Sequence, residues 1–292
     1  MTELGPKAFA APPVAVGGLG GSGTRLIAQI LRQLDYYMGD DLNAAGDNLW
    51  FTLLFKRTEL WAAGINEDNF EQAVRVFRAV MSERSPLTMD QVDMVRRLAA
   101  LDRPQHSAAW LAQRAGSLVH AAGRDRMDRL WGWKEPNTHV LLDRLMHAFP
   151  GMKYIHVMRN GLDMAFSENQ NQLALWGRFF LDTEDFEVSP RWSLKYWCLV
   201  HRRIARLGKQ MMPERYLLLN YDAFCAVPQE HLRCLLRFLN LTVSGSTEAR
   251  LAALIRRPSS IGRFKAHSLY QFDPEDIECV KRFGFDASVA RL

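Results

Sequence analysis

PPVAVGGLGGSGTRLIAQILRQL, residues 12–34, is the stretch whose reading decides the fold. A short apolar run, Val14 to Val16, leads into a turn dense in glycine (Gly17, Gly18, Gly20, Gly21, Gly23) and then into an apolar-periodic helix. The predicted order is strand, loop, helix. Glycines let the backbone curl so that several N–H groups point inward, and the helix start adds the positive end of a dipole. Such a turn is a cradle for phosphate or sulfate. A nucleoside-triphosphate loop reads G-x-x-x-x-G-K-[ST], with Lys on the outer phosphates and a hydroxyl on Mg²⁺. Here Gly18 and Gly23 keep the glycine spacing, while Thr24 stands in the lysine slot and Arg25 in the hydroxyl slot. The cradle suits an anionic nucleotide handled without Mg²⁺; the bland alternative is a glycine-rich turn with no ligand.

The chain has 292 residues, enough for one large α/β domain, and 48% hydrophobic with 24% charged residues is an ordinary globular composition. A net charge of +5 favours an anionic ligand. The basic residues are spread along amphipathic helices rather than gathered in a block, which argues against nucleic acid. Cys198, Cys225, Cys234 and Cys279 form no C-x-x-C pair, so neither a zinc site nor a disulfide framework is expected. No metal site is expected. There is no long apolar run to span a membrane, and MTELGPKAFAAPP lacks a signal-peptide core, so the expected location is cytoplasmic.

Further along, Leu26, Ile30, Leu31 and Leu34 share one face of the first helix, from Thr24 to about Leu34. A brief strand over Tyr36 to Met38 stops at Gly39 and opens into an acidic turn, Asp40-Asp41-Leu42-Asn43. From about Asp47 to Arg126 the pattern is helical, broken at Pro86 and Pro104, with Ser107 and Asp90 as cap or first-turn residues. We read about 56–126 as a helical insert within a single domain over 1–292. Next come a short strand to Trp133, a loop over Lys134–Pro136, and a helix ending near Pro150. MKYIHVM, 152–158, reads as a buried parallel strand. Residues 170–190 read as an irregular loop. A long helix runs from Arg191 to about Met212, RYLLLNY (215–221) is another buried strand, and HLRCLLRFLN is an amphipathic helix. The fold expected is a P-loop-like three-layer α/β fold with a mostly parallel central sheet flanked by helices.

Arg159 ends the 152–158 strand and Ser167 follows on the next helix. A strand-end Arg aims its fork into the crevice above the sheet, where a phosphate can accept two hydrogen bonds. The alternative is an Arg pairing with Asp163 beside a solvated Ser. Ser22-Gly23-Thr24 together with FPGMKYIHVMRNGLDMAFS resembles the sulfotransferases that use 3′-phosphoadenosine-5′-phosphosulfate (PAPS). The resemblance implies that Gly20, Gly21, Ser22, Gly23, Thr24 and Arg25 bind the 5′-phosphosulfate, and that Arg159 and Ser167 bind the 3′-phosphate. Trp133-Lys134-Glu135-Pro136 resembles the K-x-P element of the tyrosylprotein and related bacterial enzymes. RYLLLNYDAF resembles the element whose Tyr lies near adenine, here Tyr221. RRPSSIGRFK resembles the family's closing segment, with Arg257 and Lys265 as anion-binding candidates.

One position departs from the pattern. The family carries a basic residue just before S-G-T, and this chain has Gly21. Sulfuryl transfer needs positive charge on the leaving phosphate, and Arg25 and Lys134 are the expected replacements. The resemblance places the catalytic base in the acidic turn, at Asp41 or Asp40, with Asp47 the fallback; His139 and His156 are weaker candidates. Trp50, Phe51, Phe55, Trp61 and Trp176 are either acceptor-pocket lining or core. The implied function is metal-free in-line transfer of the PAPS sulfuryl group to a hydroxyl or amine acceptor of unread class. The alternatives are a catalytically impaired PAPS-binding protein and an atypical P-loop kinase.

Overall fold

The computed structural model describes residues 11–58, 67–83, 85–103, 105–124 and 130–288. Its strands are β1 (Val14–Gly18), β2 (Tyr36–Tyr37), β3 (Leu130–Lys134), β4 (Lys153–Met158) and β5 (Tyr216–Asn220). They form one sheet in the order β2-β3-β1-β4-β5, every adjacent pair parallel. Ala15 in β1 pairs with Trp133 on one side and Tyr154 on the other. From β1 the chain travels towards β2, and from β4 it travels the opposite way to β5. The carboxyl ends of β1 and β4 therefore flank a crevice, where parallel α/β sheets bind ligands.

The helices are α1 (Thr24–Gln33), α2 (Leu49–Phe55), α3 (Glu67–Arg78), α4 (Met89–Ala99), α5 (Ala108–Ala121), α6 (Leu142–Ala148) and α7 (Gly161–Ala165). They continue with α8 (Asn171–Phe180), α9 (Pro190–Met211), α10 (Tyr221–Ala226), α11 (Pro228–Leu239), α12 (Gly245–Ala252) and α13 (Pro274–Arg282). Side chains alternate across each strand. Val14, Val16, Ile155 and Val157 face one way and pack with Ile27, Ile30 and Leu31 of α1 and with α11 and α12. Ala15, Trp133, Tyr154 and Met158 face the other way, towards α2, α3, α6 and α9. Each fully buried Leu, Ile or Phe contributes about 1.5–3 kcal/mol, which is what clamps the two helical layers to the sheet.

The helical segment after β2 belongs to that second layer. Phe51 stacks on Trp133 with centroids 5.8 Å apart, and Phe77 meets Trp133 edge-on at 5.4 Å. Trp50, Phe51, Phe55 and Trp176 are all buried in this cluster, so they are core and not pocket lining. Trp61 and the expected break at Pro104 lie outside the described residues. Ser107 caps α5 through the Trp110 N–H, and Asp90 lies in the first turn of α4, whose cap is Thr88.

Three local expectations are corrected. Lys134 belongs to β3, and the following helix starts as a 3-10 turn over Pro136–Leu141. The 170–190 stretch, expected as a loop, contains α8, because Leu173, Trp176 and Gly177 give it a buried face. Ser167 is not on a helix. The side-chain amide of Gln170 donates to the carbonyls of Met164, Ala165 and Ser167 at 2.7–3.3 Å, which closes α7 before Ser167 is reached.

Candidate active site

The loop after β1 turns on Ser22, whose N–H donates to the Leu19 carbonyl at 3.0 Å. Gly23, at φ +100°, is the residue before α1, and a Cβ there would lie 2.3 Å from the Tyr221 ring. Only glycine fits on both counts. No side chain caps α1 and its first turn holds no acid, so the helix start presents uncapped N–H groups and a positive dipole end. The Ser22 hydroxyl is buried, 1% exposed, and has no partner among the described residues. A buried hydroxyl left unsatisfied costs about 1–3 kcal/mol, so a ligand oxygen is its natural complement.

This loop forms one side of a cavity of about 490 Å³, contributing Gly20, Gly21, Gly23, Thr24 and Arg25. Lys134 and Asp47 also line it, as do Tyr221 and Arg256. Lys134, at the carboxyl end of β3, is 2% exposed; its ammonium contacts Asp47 Oδ1 and donates to the Ala45 carbonyl at 3.2 Å. A buried ammonium needs such a counterion, since desolvation costs several kcal/mol. Asn43 shapes the turn that delivers Asp47. Its side-chain oxygen accepts from the N–H groups of Ala45 and Asp47, each at 2.9 Å, and its amide donates to Asp47 Oδ2 at 2.7 Å.

The other acids of that turn point elsewhere. Asp41 Oδ2 lies 3.1 Å from Nε of Arg114 in α5, an ion pair without hydrogen-bond alignment, and both side chains are nearly buried. Asp40 is exposed, and neither lines the cavity. His139 and His156 are buried beneath the sheet with His201. Burial holds His139 down to about 4 and His201 to about 3, and lowers His156 well below the ordinary range. Tyr154 O–H meets His156 Nδ1 at 2.8 Å.

Arg159 stands at the end of β4 beside the glycine loop. It donates to the Gly21 carbonyl at 3.4 Å and to Ser260 Oγ at 2.8 Å, and its buried Nε has no partner among the described residues. Ser167 Oγ accepts from the Asn169 N–H at 3.3 Å and makes no bond to Arg159 among the described residues. Asp163, the alternative partner for Arg159, instead accepts from the N–H groups of Gly262 and Phe264 at 2.8 and 3.0 Å, pinning the 256–265 segment onto α7. Tyr221 opens α10, and burial pushes its hydroxyl up to about 12. Arg257 is exposed and near Asp222, while its neighbour Arg256 is the one in the cavity lining. Lys265 pairs with Asp286 at 2.8 Å and draws that carboxyl down to about 2.

Four residues absent from the sequence reading take part. Asn169 and Arg256 line the cavity, and Gln172 bonds both to Asn137 and to the loop. The signal for Arg256 was its place beside Arg257. For Asn137 it was its place two residues after Glu135.

The fold resembles solved sulfotransferase domains. The domain from the Synechococcus PCC 7002 olefin synthase aligns over 99% of this chain and 100% of its own, at TM-score 0.51 and 18% identity. The domain from the curacin biosynthetic pathway aligns over 96% and 99%, at TM-score 0.54 and 15% identity. No protein of curated function matches the chain by sequence. Residues 12–245, running from the first strand through α11 to the first residue of α12, match the sulfotransferase family. The chain thus belongs to the sulfotransferase family.

Proposed function

We propose that the protein moves the sulfuryl group of PAPS to a hydroxyl or amine acceptor. The observation that carries this reading is the single cavity shared by the glycine loop, Lys134 and Asp47. The donor fits the residues present: the unpartnered Ser22 hydroxyl and the uncapped start of α1 suit the 5′-phosphosulfate, and the unpartnered Nε of Arg159 suits the 3′-phosphate. Gly21, Gly23, Thr24 and Arg25 would complete the first site, Ser167 the second, with Tyr221 beside the adenine and Arg257 and Lys265 at the closing segment. When bound, PAPS supplies an activated sulfuryl group on a phosphate leaving group.

Lys134 and Arg25 take the place of the basic residue missing at Gly21. Both face the cavity, and Lys134 acts from a desolvated position, where a fixed charge stabilises developing negative charge more strongly than in water. Asp47 accepts the acceptor's proton; of Asp40, Asp41 and Asp47 it is the one that lines the cavity. The helical insert of about 56–126 and α8 shape the acceptor side, and the four free thiols suit a cytoplasmic setting. Among the described residues no helix is long and apolar enough to cross a membrane.

The test is incubation with ³⁵S-labelled PAPS and a panel of phenols, alcohols, sugars and amines. Label transferred to an acceptor supports the reading. Tight adenosine 3′,5′-bisphosphate binding with no transfer to any acceptor class supports a binding protein that lost catalysis with the basic residue at Gly21.

A further inference from the structure

Gln172, in the first turn of α8, touches the glycine loop although the chain between them is long. Its Oε1 accepts from the Gly20 N–H at 3.2 Å, and its Nε2 donates to Asn137 Oδ1 at 3.1 Å, with the Gly18 carbonyl at 3.5 Å. Trp176, one turn along α8, donates its indole N–H to the same Asn137 oxygen at 2.8 Å. The Asn137 amide in turn donates to Glu135 Oε1 at 2.8 Å, and the Asn137 backbone N–H donates to Oε2 at 2.6 Å. Glu135 and Asn137 are buried, and burial raises the Glu135 carboxyl.

Every amide in this chain of bonds has one permitted orientation. The Trp176 indole N–H only donates, so Asn137 must turn its oxygen towards Trp176 and Gln172 and its NH₂ towards Glu135. Gln172 must then turn its NH₂ to Asn137 and its oxygen to Gly20. Glu135 follows Lys134 directly in the chain, so the relay starts on the residue after Lys134 and ends on the peptide that opens the cradle.

We propose that Gln172 is a positioning residue, which fixes the Gly20 peptide in register with Lys134 so that the next N–H groups of the loop face the cavity. The Gly20 N–H is then committed to Gln172 and the Ser22 N–H to the Leu19 carbonyl, and the ligand is left to the N–H groups of Gly21, Gly23, Thr24 and Arg25 and to the Ser22 hydroxyl. Gln172 is not among the residues that line the cavity; it acts through the loop. The assignment rests on the reading of the cavity as a PAPS site, and the test separates the two.

The test compares native protein with Gln172→Leu, which keeps the side chain's bulk and removes all three bonds, and Gln172→Glu, which keeps an acceptor for Gly20 and sets an oxygen against Asn137 Oδ1. Amide hydrogen exchange without nucleotide reads the loop alone: Gly20 is expected to exchange about tenfold faster in Gln172→Leu, the loss of one hydrogen bond. Calorimetry then compares adenosine 3′,5′-bisphosphate with adenosine 3′-phosphate, which lacks the group held by the loop. Both variants are expected to weaken the first by about tenfold and the second by less than about twofold. A general loss of folding would weaken both equally. Unchanged Gly20 exchange, or an unchanged ratio of the two affinities in whichever variant folds, overturns the positioning role. Failure of the native protein to bind the bisphosphate while Gly20 exchange responds as expected overturns the donor reading, and with it the role in transfer, but leaves the relay standing.

Discussion

The glycine loop after β1 and the acidic turn after β2 lie at the same edge of the sheet, yet they are built from different materials. The loop's chemistry is backbone: left-handed Gly21 and Gly23, a helix start with no cap, and a ring of Tyr221 against Gly23. The turn's chemistry is side chain against side chain: Asp47 with Lys134 of β3, Asp41 with Arg114 of α5, and Asn43 bracing the turn. A backbone site tolerates few residue types at its bends and leaves a local signature. A side-chain site is defined by partners that arrive from far along the chain, and any of several acids could have filled it.

This difference can be broken experimentally. Gly23→Ala should have the largest effect on nucleotide affinity, because the added Cβ meets the Tyr221 ring at 2.3 Å and φ +100° disfavours it. Relieving that overlap shifts the loop, so affinity for adenosine 3′,5′-bisphosphate should fall by about 100-fold, equivalent to ~2.7 kcal/mol. Native affinity in this variant would mean the loop is not the cradle. In the turn, Lys134→Ala should leave that affinity within about threefold and lower turnover by about 100- to 1,000-fold, the usual scale for removing one stabilising charge or donor. Turnover intact with binding intact would remove Lys134 from the chemistry.

Asp47→Asn and Asp41→Asn sharpen the contrast within the turn itself. The first should lower turnover by about 100-fold, the scale of a lost general base. The second should change it by less than about threefold, while loosening α5 by leaving Arg114 nearly buried without its partner. The reverse ranking would return the base to Asp41.

The smallest effect concerns the ground beneath both regions. His139 and His201 titrate near 4 and 3 in the fold, and His156 is lowered too, against about 6.5 in the unfolded chain. Below about pH 6.5 the unfolded chain binds more protons than the native one, so stability falls as pH drops towards those folded values. Glu135 works in the opposite sense, since its raised carboxyl takes up a proton in the fold more readily than in the unfolded chain. His106 is lowered to about 4 as well, and Asp222 and Asp276 are raised by burial like Glu135; with four histidines against three acids, the unfolding temperature should be lower at pH 5 than at pH 7. A flat or rising profile would mean these imidazoles are not buried neutral.

The sequence carried the β1–α1 unit, the β4 strand and the strand-end Arg159 because each is stated by a local pattern: an apolar run, a glycine cluster, a helical period. It did not carry α8, since the Asn and Gln residues around its start mask a buried face that only Leu173, Trp176 and Gly177 reveal. Ser167 fell off its expected helix because Gln170 caps α7 early, a bond that no periodicity encodes. That Asp47 lines the cavity while Asp41 pairs with Arg114 depended on Arg114 and Lys134, both distant in sequence. The strand, glycine loop and helix on one side of the cavity were therefore legible, and the side-chain pairs of the turn on its other side were not.

The most direct measurement is a calorimetric titration of the native protein with adenosine 3′,5′-bisphosphate and with ADP, each with and without Mg²⁺. The account predicts that the bisphosphate binds at least about tenfold more tightly than ADP, a difference of ~1.4 kcal/mol, and that Mg²⁺ changes neither affinity. Tight ADP binding that requires Mg²⁺, with the bisphosphate weaker, would contradict it.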